Sequence, residues 1–264
     1  MSTFLFKEIV FGPVSSRRLG VSLGINLMPV DRKYCNFDCI YCECGRNEQS
    51  SGFRVPGSGF RVPDRREVYA ALEYKLAAMQ QAGQLPDSIT FAGNGEPTIH
   101  PAFAEIIDDT VLLRDRYASN SKISVLTNAT MLHRQDVVNA LRKTDLPILK
   151  FDSAIDTTIN LLNQPAKKIT VSKLVEQLQT FGKKCIVQTM FMQGTYSGQI
   201  VDNTTSVELD AWERAIIAIQ PAQVMIYTIA RDTPTDTLRK VSGEKLREIA
   251  ERIEKQGIAV RVSE

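Results

Sequence analysis

Four of the five cysteines of this 264-residue chain, Cys35, Cys39, Cys42 and Cys44, fall within ten residues, and Cys185 lies far downstream. A disulfide framework spreads its cysteines to close long loops, which this spacing does not do. Clustered thiols in a chain expected to be cytosolic point to metal binding or redox chemistry, and thiolates suit zinc or iron–sulfur centres. The phrase Cys35-Asn-Phe-Asp-Cys39-Ile-Tyr-Cys42 reads C-x3-C-x2-C. Three thiolates from one loop can ligate three irons of a four-iron cluster and leave the fourth open, as catalytic zinc keeps an open position. The alternative is a structural zinc site completed by Cys44. Zinc sites favour paired C-x2-4-C knuckles, and the single residue between Cys42 and Cys44 is too tight for one. The spacing favours iron–sulfur. Cys185 falls in an apolar run and reads as core.

Such a loop needs a scaffold, and the rest of the chain alternates in character. Apolar residues recur at helical spacing over 65–81 (Val68, Leu72, Leu76, Met79), and Gly83 and Pro86 close the run. Helices are likewise expected over 101–117, 135–142, 171–181, 207–219 and 243–256. Short apolar runs predict strands at 88–92, 123–127, 148–152, 185–191 and 224–229, with an early strand near 21–27 and a terminal one at 258–262. Strict alternation means parallel strands joined by right-handed crossovers, in an α/β fold. About six βα units fall short of the eight of a full barrel, so a partial barrel or an open wound sheet is expected. In either, the site lies at the carboxyl ends of the strands. The cysteine loop follows the first such strand.

Composition narrows the function. Hydrophobic residues at 43% and charged residues at 23% are ordinary globular values and exclude wholesale disorder. A net charge of +2 excludes a strongly basic nucleic-acid scaffold. No run of 18 apolar residues occurs, so no membrane span is expected. The opening MSTFLFKEIVFGPVSSRR lacks the features of a secretory signal, and the expected compartment is the cytoplasm. A single domain over 1–264 is expected. Within it, 46–63 reads as an irregular Gly/Pro loop holding a tandem copy of one phrase, SGFRVP at 51–56 and again at 58–63. His100 and His133 stand alone, and no Ser-His-Asp set, Walker loop or G-x-G-x-x-G fingerprint competes. Arg17 and Arg18, just upstream of the cysteines, could neutralise an anionic group at the barrel mouth.

Cys35-x3-Cys39-x-Tyr-Cys42, with aromatic Tyr41 before the last cysteine, resembles the signature of the radical S-adenosylmethionine (SAM) superfamily. The resemblance implies a partial (β/α)6 barrel with parallel strands. It implies that Cys35, Cys39 and Cys42 hold a 4Fe-4S cluster and that SAM binds its free iron. Reductive cleavage of SAM then yields a 5′-deoxyadenosyl radical that abstracts a substrate hydrogen. Gly93-Asn94-Gly95-Glu96-Pro-Thr98, after the second barrel strand, resembles the superfamily's GGE motif with Asn94 in place of a glycine. In the family this turn holds the methionyl amino group. Glycines let backbone approach a ligand, and Glu96 can accept from an ammonium. By similarity Thr127, Asn128, Asp152 and Ser153, at the next strand ends, contact the methionine carboxylate and ribose, and Gln188 faces the lumen. No catalytic acid or base is assigned.

A narrower resemblance spans nearly the whole chain. Phe11-Gly-Pro-Val-Ser-Ser-Arg-Arg-Leu-Gly20 with Phe37-Asp-Cys-Ile-Tyr-Cys42 is similar to a family of iron–sulfur oxidoreductases related to the wyosine-forming tRNA enzymes. Those enzymes carry further cysteines for a second cluster, and here only Cys44 and Cys185 remain. Residues 1–66 hold ten Lys/Arg against six Asp/Glu, a modest basic patch. The expected partners are SAM, a reducing donor such as flavodoxin or ferredoxin, and a substrate that is a tRNA base or a small molecule; neither DNA nor membrane is expected. The alternatives are a glycyl-radical activase acting on a partner protein and a zinc module without catalysis.

Overall fold

Asp64 starts the first long helix. Its carboxylate accepts from Glu67 N at 2.9 Å, and the Glu67 side chain accepts from Asp64 N at 2.8 Å, a reciprocal capping box. The helix that follows, α1 (Arg65–Gln81), buries Val68, Leu72, Leu76 and Met79, the residues whose spacing predicts it. The computed structural model describes residues 4–47 and 61–264. Apart from its last residues, 61–63, the tandem phrase lies outside the described residues. The described chain forms two compact units. One is drawn from Leu5–Cys35 and Asn47–Pro147, the other from Phe4, Asn36–Arg46 and Ile148–Glu264.

In the first unit, β1 (Val10–Ser16) pairs antiparallel with β2 (Gly20–Ile25). Next, β2 pairs parallel with β3 (Ser88–Phe91), and β3 pairs parallel with β4 (Lys122–Thr127). Two more helices, α2 (Phe103–Tyr117) and α3 (Gln135–Lys143), complete the βα alternation. Buried hydroxyls link the parallel strands: Ser22 Oγ to Thr90 Oγ1 at 2.7 Å and Ser88 Oγ to Ser124 Oγ at 2.7 Å. Behind them Phe91 and Phe103, both fully buried, meet edge to face with centroids 6.2 Å apart.

In the second unit, β5 (Leu146–Lys150), which enters it at Ile148, pairs parallel with β6 (Ile186–Tyr196). Outward from there, β6 pairs parallel with β8 (Gln223–Thr228), and β8 with β10 (Ala259–Ser263). The helices are α4 (Asp156–Asn163), α5 (Val171–Gln179), α6 (Ser206–Ile219) and α7 (Gly243–Glu254). The far half of β6 carries two antiparallel partners, β7 (Gln199–Asp202) and β9 (Leu238–Lys240).

The architecture is mixed α/β with mostly parallel strands, as the alternation predicts. Purely parallel pairing is corrected at three strands. The first of them, β1, contains Pro13, which donates nothing to a ladder, and its Gly and Ser neighbours read as loop. The other two, β7 and β9, are short edge strands with no apolar run of their own. Sequence reasoning also missed α4, whose Asp-Thr-Thr-Ile-Asn run is made of weak helix formers. Among the described residues no helix is long and apolar enough to cross a membrane.

Phe103→Ala removes the partner of Phe91 from a fully buried site. The variant should lose about 3–5 kcal/mol of stability. A lower denaturant midpoint at unchanged slope would register it.

Candidate functional site

In the first unit the candidate residues gather where β2 and β3 end. Asn26, just past β2, accepts through Oδ1 from Asn94 N at 3.0 Å and from Met28 N at 3.2 Å. Gly93 has φ +152°, and a Cβ there would stand 2.4 Å from that same Oδ1. Gly95 has φ +156°, and a Cβ there would stand 1.7 Å from the Tyr34 carbonyl oxygen. Tyr34 N in turn donates to Asn94 O at 2.8 Å, and Glu96 N donates to Tyr34 O at 3.4 Å. Gly93 therefore admits the Asn26 side chain, and Gly95 admits the backbone of Tyr34, the residue directly before Cys35. Asn94 is fully buried, and its side chain is engaged within the chain. Its Nδ2 donates to Phe6 O at 2.9 Å and Pro29 O at 2.8 Å, and its Oδ1 accepts from Phe6 N at 2.8 Å. These bonds tie its side chain to two other segments of the same unit.

Glu96 is the hub of this unit. Its Oε1 accepts from Thr98 N at 3.1 Å, Thr98 Oγ1 at 2.5 Å and Thr127 Oγ1 at 2.6 Å, and Oε2 accepts from Asn128 N at 2.6 Å. Burial raises its pKa above the ordinary carboxylate value, against the lowering effect of these hydrogen bonds. Oε2 keeps capacity for a further donor. The Asn128 side chain points the other way and donates from Nδ2 to Cys35 Sγ at 3.8 Å. Cys35 is also tied to Asn47, whose Oδ1 accepts from Cys35 N at 3.2 Å while its Nδ2 donates to Cys35 O at 3.1 Å.

The second unit holds the remainder of the cysteine loop along the end of α4. Ile40 N donates to Leu162 O at 2.9 Å, Asp38 N to Asn163 O at 3.0 Å and Ala166 N to Asn36 O at 2.9 Å. Cys42 N turns back to Cys39 O at 3.1 Å. Beneath lies a buried polar network. Tyr41 Oη donates to Asp152 Oδ2, and Met190 N donates to Asp152 Oδ1 at 3.0 Å. Asn163 Nδ2 stands 2.8 Å from both Tyr41 Oη and Asp152 Oδ2, and 3.4 Å from Cys39 Sγ. Lys150 Nζ pairs with Asp152 at 3.4 Å, donates to Tyr227 Oη at 3.3 Å and sits 4.9 Å from the centre of the Tyr41 ring. Burial is the largest effect on Lys150 and would lower its pKa, but Asp152, Tyr227 and Cys39 together outweigh it and hold the ammonium well above its ordinary range. The Tyr41 hydroxyl is likewise pushed up, by burial first and then by Asp152.

Residues named from sequence thus divide. Asp152 serves Tyr41, Asn163, Lys150 and Met190. Ser153 Oγ donates to Glu208 at 2.7 Å and accepts from Ile155 N at 2.9 Å, which places it at a helix start. Gln188 is buried, in register with Lys150 on the neighbouring strand, and its amide has no hydrogen-bond partner among the described residues. Arg17 and Arg18 lie in the turn before β2, at the opposite end of that strand from the cysteine loop, so they do not line its mouth. Lys150 and Asn163 were missed. A lysine closing an apolar strand was the available signal for the first; for the second there was none. None of the five cysteines forms a disulfide. Among the described residues no three His, Cys, Asp or Glu side chains converge at metal-ligand spacing. The donor set nonetheless suits a thiolate-bound cluster: two cysteine sulfurs each face an amide N–H, the group that stabilises sulfur carrying negative charge.

Residues 32–194 match the Radical SAM superfamily. A UPF0026 protein of Methanocaldococcus jannaschii is 30% identical over 200 residues, which are 74% of this chain and 53% of that protein. A protein named GTPase Obg of Brachyspira hyodysenteriae is 29% identical over 90% of this chain and 32% of its own length. The chain spans about half or less of these two relatives. Among solved structures, a radical SAM methyltransferase from Sphaerobacter thermophilus superposes with TM-score 0.66 at 13% identity, over 92% of this chain and 65% of that one. Archaeal TYW1 superposes with TM-score 0.51 at 11% identity, over 89% of this chain and 71% of that one. These likenesses are of fold.

Cys185 is fully buried, its thiol donates to Gly182 O at 3.3 Å, and burial pushes its pKa up to about 12. It should therefore resist alkylation by iodoacetamide at pH 8 in the folded apoprotein and react on unfolding, as peptide mass spectrometry would show. Gly95→Ala should do broader damage, because backbone stands in the way. We expect a loss of at least about 2 kcal/mol and poorer iron uptake on reconstitution. Thermal denaturation and iron analysis test both.

Proposed function

We propose, on the premise that this chain belongs to the radical SAM superfamily, that Cys35, Cys39 and Cys42 hold a 4Fe-4S cluster beside which SAM is bound for reductive cleavage. One observation carries the reading. The GNGE turn and the approach to Cys35 are built on each other through Tyr34, so the motif that would hold the methionyl group also positions the first cysteine. When bound and reduced, the cluster supplies the electron that splits SAM into methionine and a 5′-deoxyadenosyl radical able to abstract a substrate hydrogen.

The chain's own residues orient and shield. Glu96 offers the lone pair left on Oε2 to the ammonium of SAM, while Thr98, Thr127 and Asn128 fix its carboxylate. We assign Gln188, a buried amide with no hydrogen-bond partner among the described residues, to the sugar hydroxyls of the cofactor. Tyr41 and Asp152 keep the loop and Lys150 in place and need not touch SAM. Electrons come from a small reducing protein such as flavodoxin or ferredoxin, and the substrate is a tRNA base or a small molecule.

Anaerobically reconstituted protein given SAM and a strong reductant should release 5′-deoxyadenosine, and Cys39→Ala should abolish the release. Colourless protein containing zinc would overturn the reading, as would full turnover by the variant. Wild type should hold about four irons per chain, the content of one such cluster. Cys44→Ser and Cys185→Ser should each keep that iron, since two scattered thiols cannot supply a second cluster.

A further inference from the structure

We infer that Asn163 sets the reduction potential of the centre held by Cys39, by donating a hydrogen bond to its sulfur. The inference rests on the cluster reading above and adds a residue that neither the motif nor the alternation singles out. Asn163 is the last residue of α4 and is completely buried. Its backbone carbonyl accepts from Asp38 N at 3.0 Å, and the next peptide upstream accepts from Ile40 N at 2.9 Å, so the asparagine is locked in register with the cysteine loop.

The surroundings decide which way its amide faces. Nδ2 looks at Asp152 Oδ2 and Tyr41 Oη, each at 2.8 Å, and at Cys39 Sγ at 3.4 Å. Turning the amide over would set its carbonyl against a carboxylate and a sulfur, both acceptors once the thiol has lost its proton. Tyr41 Oη and Asp152 Oδ2 are hydrogen-bonded to each other, so a single N–H reaches the pair and the second is left for the sulfur. In the first unit Asn128 Nδ2 approaches Cys35 Sγ at the longer distance of 3.8 Å. An N–H directed at a ligating sulfur stabilises the more negative, reduced state and so raises the potential. At 3.4 Å and fully buried, Asn163 should do this more strongly than Asn128.

The test is a redox titration of the reconstituted protein followed by electron paramagnetic resonance. Asn163→Leu, branched like asparagine at Cγ and without a donor, should shift the midpoint to more negative potential. We expect roughly a tenfold less favourable reduction, which for one electron is about 59 mV. Asn163→Ser, too short to reach the sulfur, should shift in the same direction, and Asn128→Leu should shift less. A midpoint does not depend on how much protein carries the cluster, so partial loading does not obscure the result. An unchanged or more positive midpoint in Asn163→Leu or Asn163→Ser overturns the inference, including the case in which only iron content falls. Wild type that shows no cluster signal would instead overturn the cluster reading itself.

Discussion

The carbonyl oxygen of Tyr34 stands where a side chain on Gly95 would have to be. From that one exclusion much of the first unit follows. Because Gly95 has no Cβ, the segment before Cys35 can lie against the turn after β3 and exchange backbone hydrogen bonds with Asn94 and Glu96. Because Glu96 is held there, its carboxylate can gather donors from Thr98, Thr127 and Asn128, joining the end of β3 to the end of β4. Because Asn128 is held by Glu96, its amide can reach the sulfur of Cys35. Several donors offset part of the desolvation cost of this buried carboxyl group, and the same donors give the site its rigidity.

The second unit solves a related problem with a different device. A buried lysine and a buried aspartate cannot stand apart in an apolar interior, and here they pair while the Tyr41 hydroxyl and the Asn163 amide donate to the aspartate. The network grips the cysteine loop from below through Tyr41, and the end of α4 grips it from the side through backbone hydrogen bonds. Catalysis of the kind the superfamily supports is carried by the cofactor, so a protein of this sort contributes by fixing ligands, tuning their charge and excluding water. Asn163 takes part in the first, through its bonds to Tyr41, Asp152 and the cysteine loop.

Fold likeness at 11–13% identity says little about substrate. The arrangement does limit what the chain can offer one. Gln188 is a buried polar side chain of the second unit, whereas Asp152 and Ser153, at a strand end where a ligand contact is expected, bond to other groups of the chain. Strand-end polarity marks a site, but it does not distinguish groups that face a ligand from groups that hold the wall.

The sequence by itself determined the regular elements and the chemistry of one loop. Helical spacing of Val68, Leu72, Leu76 and Met79 and the short apolar runs at the strands are local patterns, readable because burial of one face imposes a period. The cysteine spacing is equally local, since three ligands from one loop need only chain continuity. What lay beyond it was partnership at long range. The glycines of GNGE read from the sequence as open space for a ligand, and only the fold reveals that Asn26 occupies it at Gly93 and Tyr34 at Gly95. Asn94 departs from the family's glycine because Phe6 and Pro29 supply partners for an amide there. Asn163 ends a helix of weak formers, and nothing within its own segment announces that Cys39, 124 positions away, is its neighbour. Hydrogen bonds between distant segments leave no period in a sequence, so only the tertiary structure could decide which polar residues hold the loop and which remain for a ligand.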